Sequence, residues 1–262
     1  MPADLRTTAV QWRAAGRAAV VVEITATQGS VPREAGTRML VAADAVLGSI
    51  GGGHLELQAI STARAVLQEG EPRQQHVALG PGLGQCCGGA LDLSFTPLAL
   101  ANPAAWAEAP PRFHLQLYGA GHVGRAIVRL LAGIPCRVSW IDERDAEFPA
   151  EALPGHITIT CVDAVQAEVA TAPAGAFYLV LTHSHDLDLA ISQAILQRGD
   201  FAWFGLIGSR TKRARFEHRL QAMGIAPDVL ARLVCPIGLR GIPGKEPEVI
   251  AVAVVAQLLR QT

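Results

Sequence analysis

Two adjacent cysteines in a glycine-rich loop are the side chains of this sequence best suited to chemistry with sulfur or a soft metal. Cys86 and Cys87 lie in the stretch Leu79–Gly89, which contains five glycines. A loop with so few side chains buries its cysteines poorly, which favours accessible thiols that act as nucleophiles or metal ligands. No Cys-x-x-Cys pair accompanies them, so their spacing does not indicate a zinc site. The alternative interpretation is two small residues at a crowded turn.

A nucleotide-type glycine motif lies in the second half of the chain. Gly119-x-Gly121-x-x-Gly124 follows the apolar stretch 113–118 and opens a helical pattern that includes His122. In this setting the first glycine forms a tight turn, the second lets the backbone approach a phosphate, and the third lets the helix pack closely. The helix N-terminus adds N–H groups and a partial positive charge. We therefore expect these four residues to contact a phosphate-bearing cofactor.

An acidic residue follows the next predicted strand, 137–141. Asp142 lies 23 residues after Gly119, close to where a ribose-binding carboxylate belongs in a dinucleotide-binding domain. Arg144 could instead favour a 2′-phosphate, so the pattern leaves the choice between NAD and NADP open.

Three polar residues follow the predicted strand 177–181. His183, His185 and Asp186 come at the carboxyl end of that strand, where open α/β sheets bind ligands. They could act as acid–base groups or metal ligands. A third well-spaced ligand is not evident, which disfavours a metal. The simpler alternative is that Ser184 or Asp186 caps the following helix.

A second strand-to-helix junction resembles a phosphate-binding turn. Gly208, Ser209 and Arg210 follow the predicted strand 201–207, and they begin the most basic stretch of the chain. Ser209 can cap the helix. We expect these three residues to contribute to cofactor binding.

The first half of the chain carries two further glycine-containing loops. Ser30 and Arg33 lie in one of them, and the run Gly51, Gly52 and Gly53 opens a predicted helix. A glycine run at a helix start is an anion cradle in principle. A tight strand-to-helix connection explains it equally well, and Arg33 could be an ordinary solvated residue.

The elements that position these residues indicate an α/β protein. From residue 112 onwards, strands and helices alternate, which predicts a Rossmann-like parallel sheet with right-handed crossovers. Residues 1–97 predict a smaller α+β domain. The segment 98–111, rich in alanine and proline, is expected to be the linker.

The composition excludes several classes of protein. Half of the residues are hydrophobic and the net charge is −1, so disorder and a general nucleic-acid footprint are not expected. No stretch reaches the roughly 18 apolar residues of a membrane helix. Five cysteines, two of them adjacent, do not indicate a disulfide framework. Without a predicted signal peptide, we expect a cytoplasmic protein that binds neither nucleic acid nor membrane.

Taken together, these motifs resemble the XdhC/CoxI family, accessory proteins of molybdenum hydroxylases. The resemblance covers essentially the whole chain, and the ordered set including the double-cysteine loop is specific. The matching segments are Gly29–Met39, Gly48–Glu56, Gly84–Gly89, Gly119–Gly124, Thr182–Asp188, Gly205–Lys212 and Pro236–Glu248.

The resemblance implies a chaperone for the molybdenum cofactor, molybdopterin with its bound metal. Such a chaperone protects the cofactor during sulfuration and delivers it to apo-xanthine dehydrogenase. A cysteine desulfurase supplies the sulfur, and a homodimer is the implied assembly. On this interpretation Cys86 or Cys87 ligates or guards the molybdenum, or carries sulfur, and the glycine loops hold the cofactor's phosphate.

Other functions remain open at this point. The Gly119–Gly124 motif, with Asp142 and the nearby histidines, could serve an NAD(P)-dependent oxidoreductase. A persulfide on Cys86 or Cys87 would make the protein a sulfurtransferase, and a nucleotide-sensing regulator is a third candidate. If the family role holds, the glycine motif either binds NAD(P) or another nucleotide, or has been reused for the molybdenum cofactor, which we favour.

Overall fold

The structure of this chain, a computed structural model, describes residues 5–79, 88–106 and 110–262. The chain divides into two units, Met1–Glu108 and Ala109–Thr262. The predicted fold class is confirmed, because the first unit contains an antiparallel sheet with helices and the second contains a six-stranded parallel sheet.

The first unit is built around a strand that is apolar on both faces. Its elements are α1 (Leu5–Ala14), β1 (Ala19–Gln28), β2 (Arg38–Ala42), β3 (Val46–Gly48), α2 (Gly53–Glu69), β4 (Arg73–Ala78) and β5 (Ala90–Pro97). The antiparallel strands lie in the order β3-β2-β1-β5-β4. Because successive side chains point to opposite faces, Val20 and Val22 pack in the cluster that includes α2, while Ala19 and Val21 pack in the cluster that includes α1.

One edge of this sheet is polar. The edge strand β4 runs through Arg73, Gln74, Gln75 and His76, and only Val77 within it is buried. Such a segment has no apolar pattern, so hydropathy does not predict it as a strand. It pairs with β5 along its whole length, and Val77 is its one side chain in the apolar core.

The segment predicted as a linker begins inside the first unit. The Leu98 side chain is buried, and its N–H donates to the carbonyl oxygen of Ala19. Trp106 packs against the same apolar cluster, with the Arg38 guanidinium 4.9 Å from its ring centre. These contacts place residues 98–106 with the first unit, and the division of the chain lies at residue 108.

The second unit is a parallel sheet covered on both faces. Its elements are β6 (His114–Tyr118), α3 (His122–Leu131), β7 (Arg137–Asp142), β8 (Ile157–Cys161), β9 (Phe177–Val180), α4 (His185–Arg198), β10 (Trp203–Leu206), α5 (Arg210–Ala222), α6 (Pro227–Ala231), β11 (Leu233–Val234) and α7 (Pro247–Leu259). The strands lie in the order β11-β10-β9-β6-β7-β8, which is the doubly wound arrangement of dinucleotide-binding domains.

Two helix layers bury the near-continuous apolar strands of this sheet. Helices α3 and α7 pack in one apolar cluster, and α4, α5 and α6 pack in the other. The carboxyl ends of all six parallel strands therefore meet at one open edge. Among the described residues, none of the helices has the length and apolar character needed to cross a membrane.

Candidate functional site

The carboxyl edge of the parallel sheet holds most of the candidate residues of the second unit. The strand order reverses here, since the chain adds β7 and β8 on one side of β6 and then β9 to β11 on the other. The loops that follow β6, β7, β9 and β10 emerge side by side. In doubly wound sheets this reversal point is where ligands bind.

The three glycines after β6 have three different structural roles. Gly119 has a φ of 120°, and a Cβ on it would lie 2.4 Å from the carbonyl oxygen of Leu181. A Cβ on Gly124 would lie 2.1 Å from the carbonyl oxygen of Gly119, so helix and loop approach as closely as backbone allows. A Cβ on Gly121 would meet nothing within 4 Å. Gly121 is therefore where a ligand can come close to the backbone.

The N-terminus of α3 faces this open position. Gly121 is its N-cap residue and supplies no side-chain cap, so the first-turn N–H groups keep their capacity to bind an anion. His122 is the first helical residue, and its Nδ1 lies 3.4 Å from Nη2 of Arg125. The loop is thus suited to a phosphate group, which is the part of a cofactor that both interpretations of the motif require.

The Asp142 carboxylate at the end of β7 is engaged within the protein. Its Oδ2 accepts hydrogen bonds from the Ala120 N–H at 2.7 Å and from Nη2 of Arg144 at 2.9 Å. Its Oδ1 accepts from the backbone N–H and Nε of Arg144, both at 2.9 Å. A carboxylate offers about four acceptor positions, so all of them are filled. Asp142, predicted to bind a ribose, and Arg144, predicted to bind a 2′-phosphate, therefore bind each other.

Electrostatics keep this pair charged. Burial alone would raise the pKa of Asp142, but the hydrogen bonds from Arg144 and Ala120 outweigh it and hold the pKa below its usual value. The same hydrogen bond to Asp142 raises the pKa of Arg144. Glu147 lies on the other side of this arginine, with Oε1 3.4 Å from Nη1 of Arg144, and its Oε2 accepts from Arg125.

The residues after β9 separate into different roles. Nε2 of His183 lies 3.5 Å from Oε1 of Glu143, which follows β7. His185 begins α4 and is exposed, and the exposed Asp186 lies 3.5 Å from Arg219. Ser184 caps α4 by accepting the Leu187 N–H. Within the described parts of the chain, no group of three His, Cys, Asp or Glu side chains is arranged to hold a metal.

A buried ion pair joins the loops after β9 and β10. Lys212 Nζ donates to Oδ2 of Asp188 at 2.5 Å and to the Ile207 carbonyl at 2.9 Å. Oδ1 of Asp188 accepts from the N–H and the hydroxyl of Thr182. Reasoning from the sequence did not select Asp188 or Lys212 as site residues, although both lie within its motifs. The sequence signal for them is that each lies shortly after a predicted strand, at the edge where α/β sheets bind ligands.

The junction after β10 leads into a basic groove. Ser209 caps α5 by accepting the Lys212 N–H, and a Cβ on Gly208 would lie 2.6 Å from the Lys212 side chain. Arg210 is exposed at the first helical position. An open groove of about 620 Å³ runs beside α5, and its lining includes His185, Ser209, Lys212, Arg215, His218 and Arg219.

In the first unit, the sequence motifs converge at one end of the antiparallel sheet. Strand β1 ends there and β5 begins there, so the loop that contains Ser30 and Arg33 meets the loop that ends at Gly89. A Cβ on Gly89 would lie 2.4 Å from the Ser30 carbonyl oxygen, and the Leu79 N–H donates to the Gly89 carbonyl at 2.8 Å. Ser30 and Arg33 are both exposed.

The three-glycine run lies at the same end of the sheet. A Cβ on Gly51 would lie 2.6 Å from the Pro32 ring, so this run packs against the loop after β1. Gly51, Gly52 and Gly53 all have positive φ angles, which favours glycine.

The amides of this run are largely occupied by the protein itself. Oε2 of Glu56 accepts the N–H groups of Ile50 and Gly52 and the Ser49 hydroxyl, and the Gly51 N–H lies 3.2 Å from the Ser49 oxygen. An anion at these amides would have to replace the Glu56 carboxylate. The local geometry therefore supports the tight strand-to-helix connection over the anion cradle.

The double-cysteine loop has its flanking residues described, but Cys86 and Cys87 themselves lie outside the described residues. Three other cysteines are free thiols. Burial raises the pKa of Cys136 to about 11 and also raises that of Cys235. Desolvation and neighbouring carboxylates raise the pKa of the exposed Cys161. None of these three has the depressed pKa of an activated thiolate.

Comparisons with known proteins agree with the motifs. Residues 115–258 match the family described as the XdhC Rossmann domain, and residues 12–78 match the XdhC and CoxI family. The chain is 31% identical over 250 residues to the uncharacterized protein YqeB of Escherichia coli K12, covering 92% of this chain but only 43% of that relative.

A solved structure has the same fold. It is described as a xanthine dehydrogenase from Bacillus halodurans, and it superposes with a TM-score of 0.73 at 20% identity over 98% of this chain and 95% of that one. At this identity the likeness shows the fold alone. The two family matches and the ordered motifs lead to one conclusion: the chain belongs to the XdhC and CoxI family.

Proposed function

We propose that this protein is a maturation factor for xanthine dehydrogenase. It binds the molybdenum cofactor, protects it while a cysteine desulfurase provides sulfur, and passes it to the apo-enzyme. The family membership supports the general role. The cargo, the sulfur donor and a homodimeric assembly are parts of the proposal.

The observation that carries the proposal is the arrangement of loops in the first unit. The backbone hydrogen bond from Leu79 to Gly89 ties the two ends of the double-cysteine segment together. Gly89 also packs against the loop after β1, where a Cβ on Gly29 would lie 3.2 Å from the Gly89 Cα. These contacts bring together Leu79 and Gly89, which flank the segment that contains Cys86 and Cys87. In this proposal the thiols of Cys86 and Cys87 contact the bound cargo.

The second unit, considered by itself, offers a place for a phosphate group. The open position at Gly121 and the uncapped N-terminus of α3 fit a phosphate monoester, which molybdopterin carries. Ser209 and the exposed Arg210 offer further polar contacts at the same sheet edge. In this proposal the cargo supplies the molybdenum, and the chain supplies the binding groups and the thiols.

A nicotinamide-dependent oxidoreductase has less support from the geometry. That activity would use Asp142 to bind a ribose, and the carboxylate of Asp142 is filled by Arg144 and Ala120. Direct sulfur transfer by Cys86 or Cys87 is distinguished from cofactor protection by the experiment below.

The test is cofactor retention. Purified protein is mixed with molybdenum cofactor without oxygen and separated by gel filtration, and pterin fluorescence and molybdenum are then measured in the protein fraction. We expect wild-type protein to retain the cofactor, and a Cys86→Ala/Cys87→Ala variant to lose the metal or fail to activate apo-xanthine dehydrogenase. The control is Cys161→Ala, which changes an exposed thiol of the other unit.

Three outcomes would change the assignment. Full retention and full activation by the double cysteine variant would remove the thiols from the mechanism. A persulfide found on Cys86 or Cys87 by mass spectrometry, after incubation with a desulfurase, would make the protein a sulfurtransferase. No retention by wild-type protein would overturn the proposed cargo.

A further inference from the structure

The strand order predicts the path that a dinucleotide would follow. In a sheet of this order, the adenosine ribose binds at the end of the strand next to the glycine motif, here β7. The pyrophosphate crosses the glycine loop after β6, and the second nucleoside extends towards β9. Two internal side-chain pairs occupy this path.

The first pair fills the ribose position. A ribose binds a Rossmann carboxylate by donating hydrogen bonds from its hydroxyls. The Asp142 side chain is 3% exposed, and its two oxygens already accept four hydrogen bonds, three of them from Arg144. A ribose could bind the Asp142 carboxylate only after the Arg144 side chain had moved away from it.

Arg144 is held in place from its other side. Nη1 of Arg144 lies 3.4 Å from Oε1 of Glu147, while Oε2 of Glu147 accepts from Nη1 of Arg125 at 3.0 Å. Arg125 belongs to the first turn of α3, so the arginine is held between β7 and the helix that follows the glycine loop. Swinging Arg144 away would break contacts to two carboxylates.

The second pair joins the loops after β7 and β9. Glu143 follows β7 and His183 follows β9, and β6 lies between these two strands. Their side chains nevertheless approach to 3.5 Å. The pair therefore joins the β7 side of this edge to the β9 side, across the direction in which the second nucleoside of a dinucleotide would extend.

We propose that the Gly119–Gly124 loop is a phosphate site closed to nucleotides, with the Asp142–Arg144 pair as the device that excludes ribose. The loop keeps the open position at Gly121, so it accepts the phosphate of a ligand that has no ribose diol next to it. Arg144 is then a specificity-determining residue. Because this inference concerns the ligands that the loop rejects, it does not depend on the proposed cargo.

The experiment is a titration with NADH, followed by its fluorescence, and a calorimetric titration with ADP-ribose. The variants are Arg144→Met, Arg144→Met combined with Asp142→Asn, and Arg137→Met. Arg137 is the matched control, because it is an exposed arginine at the opposite end of β7. Broadening of the phosphorus NMR line of inorganic phosphate checks that the loop is intact in each protein.

We expect wild-type protein and Arg137→Met to show no saturable nucleotide binding up to about 1 mM, while both broaden the phosphate line. Arg144→Met frees a carboxylate for two hydroxyls, so we expect it to bind ADP-ribose at least about tenfold more tightly than wild type. Adding Asp142→Asn should abolish that gain, because an amide replaces the carboxylate. A merely structural role of Arg144 would produce no gain of binding.

The inference is overturned if wild-type protein binds NADH in the micromolar range, a measurement that needs no variant to fold. It is also overturned if a folded Arg144→Met protein gains no affinity, or if wild type does not broaden the phosphate line. Retention of the molybdenum cofactor and its dependence on Cys86 and Cys87 are measured separately, so failure of this inference and failure of the proposed function are distinguishable.

Discussion

Lys212 Nζ and Asp188 Oδ2 lie 2.5 Å apart, and the Asp188 side chain is fully buried. The pair links the N-terminus of α4 to the N-terminus of α5, and so fixes the two loops that follow β9 and β10. Oδ1 of Asp188 simultaneously holds Thr182 at the end of β9. The positions of His183 and Ser209 at the sheet edge therefore depend on a contact between residues 24 positions apart in the chain.

Removing one partner of this pair should be costly. Lys212→Met leaves a buried carboxylate without its cation, and we expect a loss of about 3–5 kcal/mol in the free energy of unfolding. Adding Asp188→Asn should recover part of the loss, because the amide oxygen keeps the Thr182 contacts without a buried charge. Urea unfolding measures both variants. The control is Arg219→Met, whose ion pair with Asp186 is exposed and should contribute less than about 1 kcal/mol.

Substitution by alanine should have different effects on stability at two glycines of the same loop. Gly124→Ala places a methyl group 2.1 Å from the Gly119 carbonyl oxygen, so we expect a loss of about 1–3 kcal/mol in stability. Gly121→Ala meets nothing within 4 Å, so the thermal midpoint should hardly change while phosphate binding weakens. Thermal unfolding and phosphorus NMR measure the two effects. Equal stability loss in both variants would contradict these assigned roles.

Glu56 should hold the three-glycine run in its conformation. Glu56→Ala removes the acceptor of the Ile50 and Gly52 N–H groups, and we expect about 1–3 kcal/mol of destabilisation. Hydrogen exchange at these two amides should accelerate more than exchange at the centre of β1. The control is Glu69→Ala, at the other end of α2, because Glu69 forms an exposed pair with Arg73. Unchanged exchange at Gly52 would contradict the role of Glu56.

The Asp142–Arg144 pair should make the free energy of unfolding depend on pH in the acid range. The folded pKa of Asp142 is depressed, so its contribution is present above the unfolded value of about 3.9 and is lost as pH falls through the folded pKa. We expect Asp142→Asn to be less stable than wild type at pH 7, with the difference shrinking below about pH 4. The measurement is urea unfolding as a function of pH.

The exposed pair of Asp44 with Arg17 provides the control for that pH series. The effect of Asp44→Asn should be screened by about 0.5 M salt, while the effect of Asp142→Asn should largely persist, because its side chain is buried. A difference between wild type and Asp142→Asn that grows on acidification would contradict the assignment.

Local patterns predicted much of the second unit. The glycine motif, the strand before it and the helix after it follow from spacing and hydropathy, and so does the cap at Ser209, because these features depend on neighbours in the chain. The hydrogen bonds by which Arg144 fills the acceptor positions of Asp142 could not be predicted in this way. The sequence places an acid and an arginine two residues apart, but whether the arginine turns to the acid or to a ligand depends on packing around Glu147.

The first unit was harder to predict for the same reason. Gly51, Gly52 and Gly53 fit an anion cradle as well as a tight turn, and only the approach of Glu56 and Pro32 distinguishes the two. The boundary near residue 108 depends on Leu98 and Trp106, whose burial against β1 and α1 is a tertiary contact. Composition alone marks that alanine- and proline-rich segment as a connection.

The polar edge strand β4 has a consequence for how the protein behaves at high concentration. An edge strand presents unpaired backbone groups that can recruit a strand from another molecule, and charged side chains discourage such aggregation. Arg73 and His76 lie on this edge, and each pairs with a carboxylate, Glu69 or Asp92. The polar sequence of β4, which gives only a weak strand signal, therefore protects the first unit from aggregation. A sequence of higher β-propensity at this edge would favour pairing with strands of other molecules.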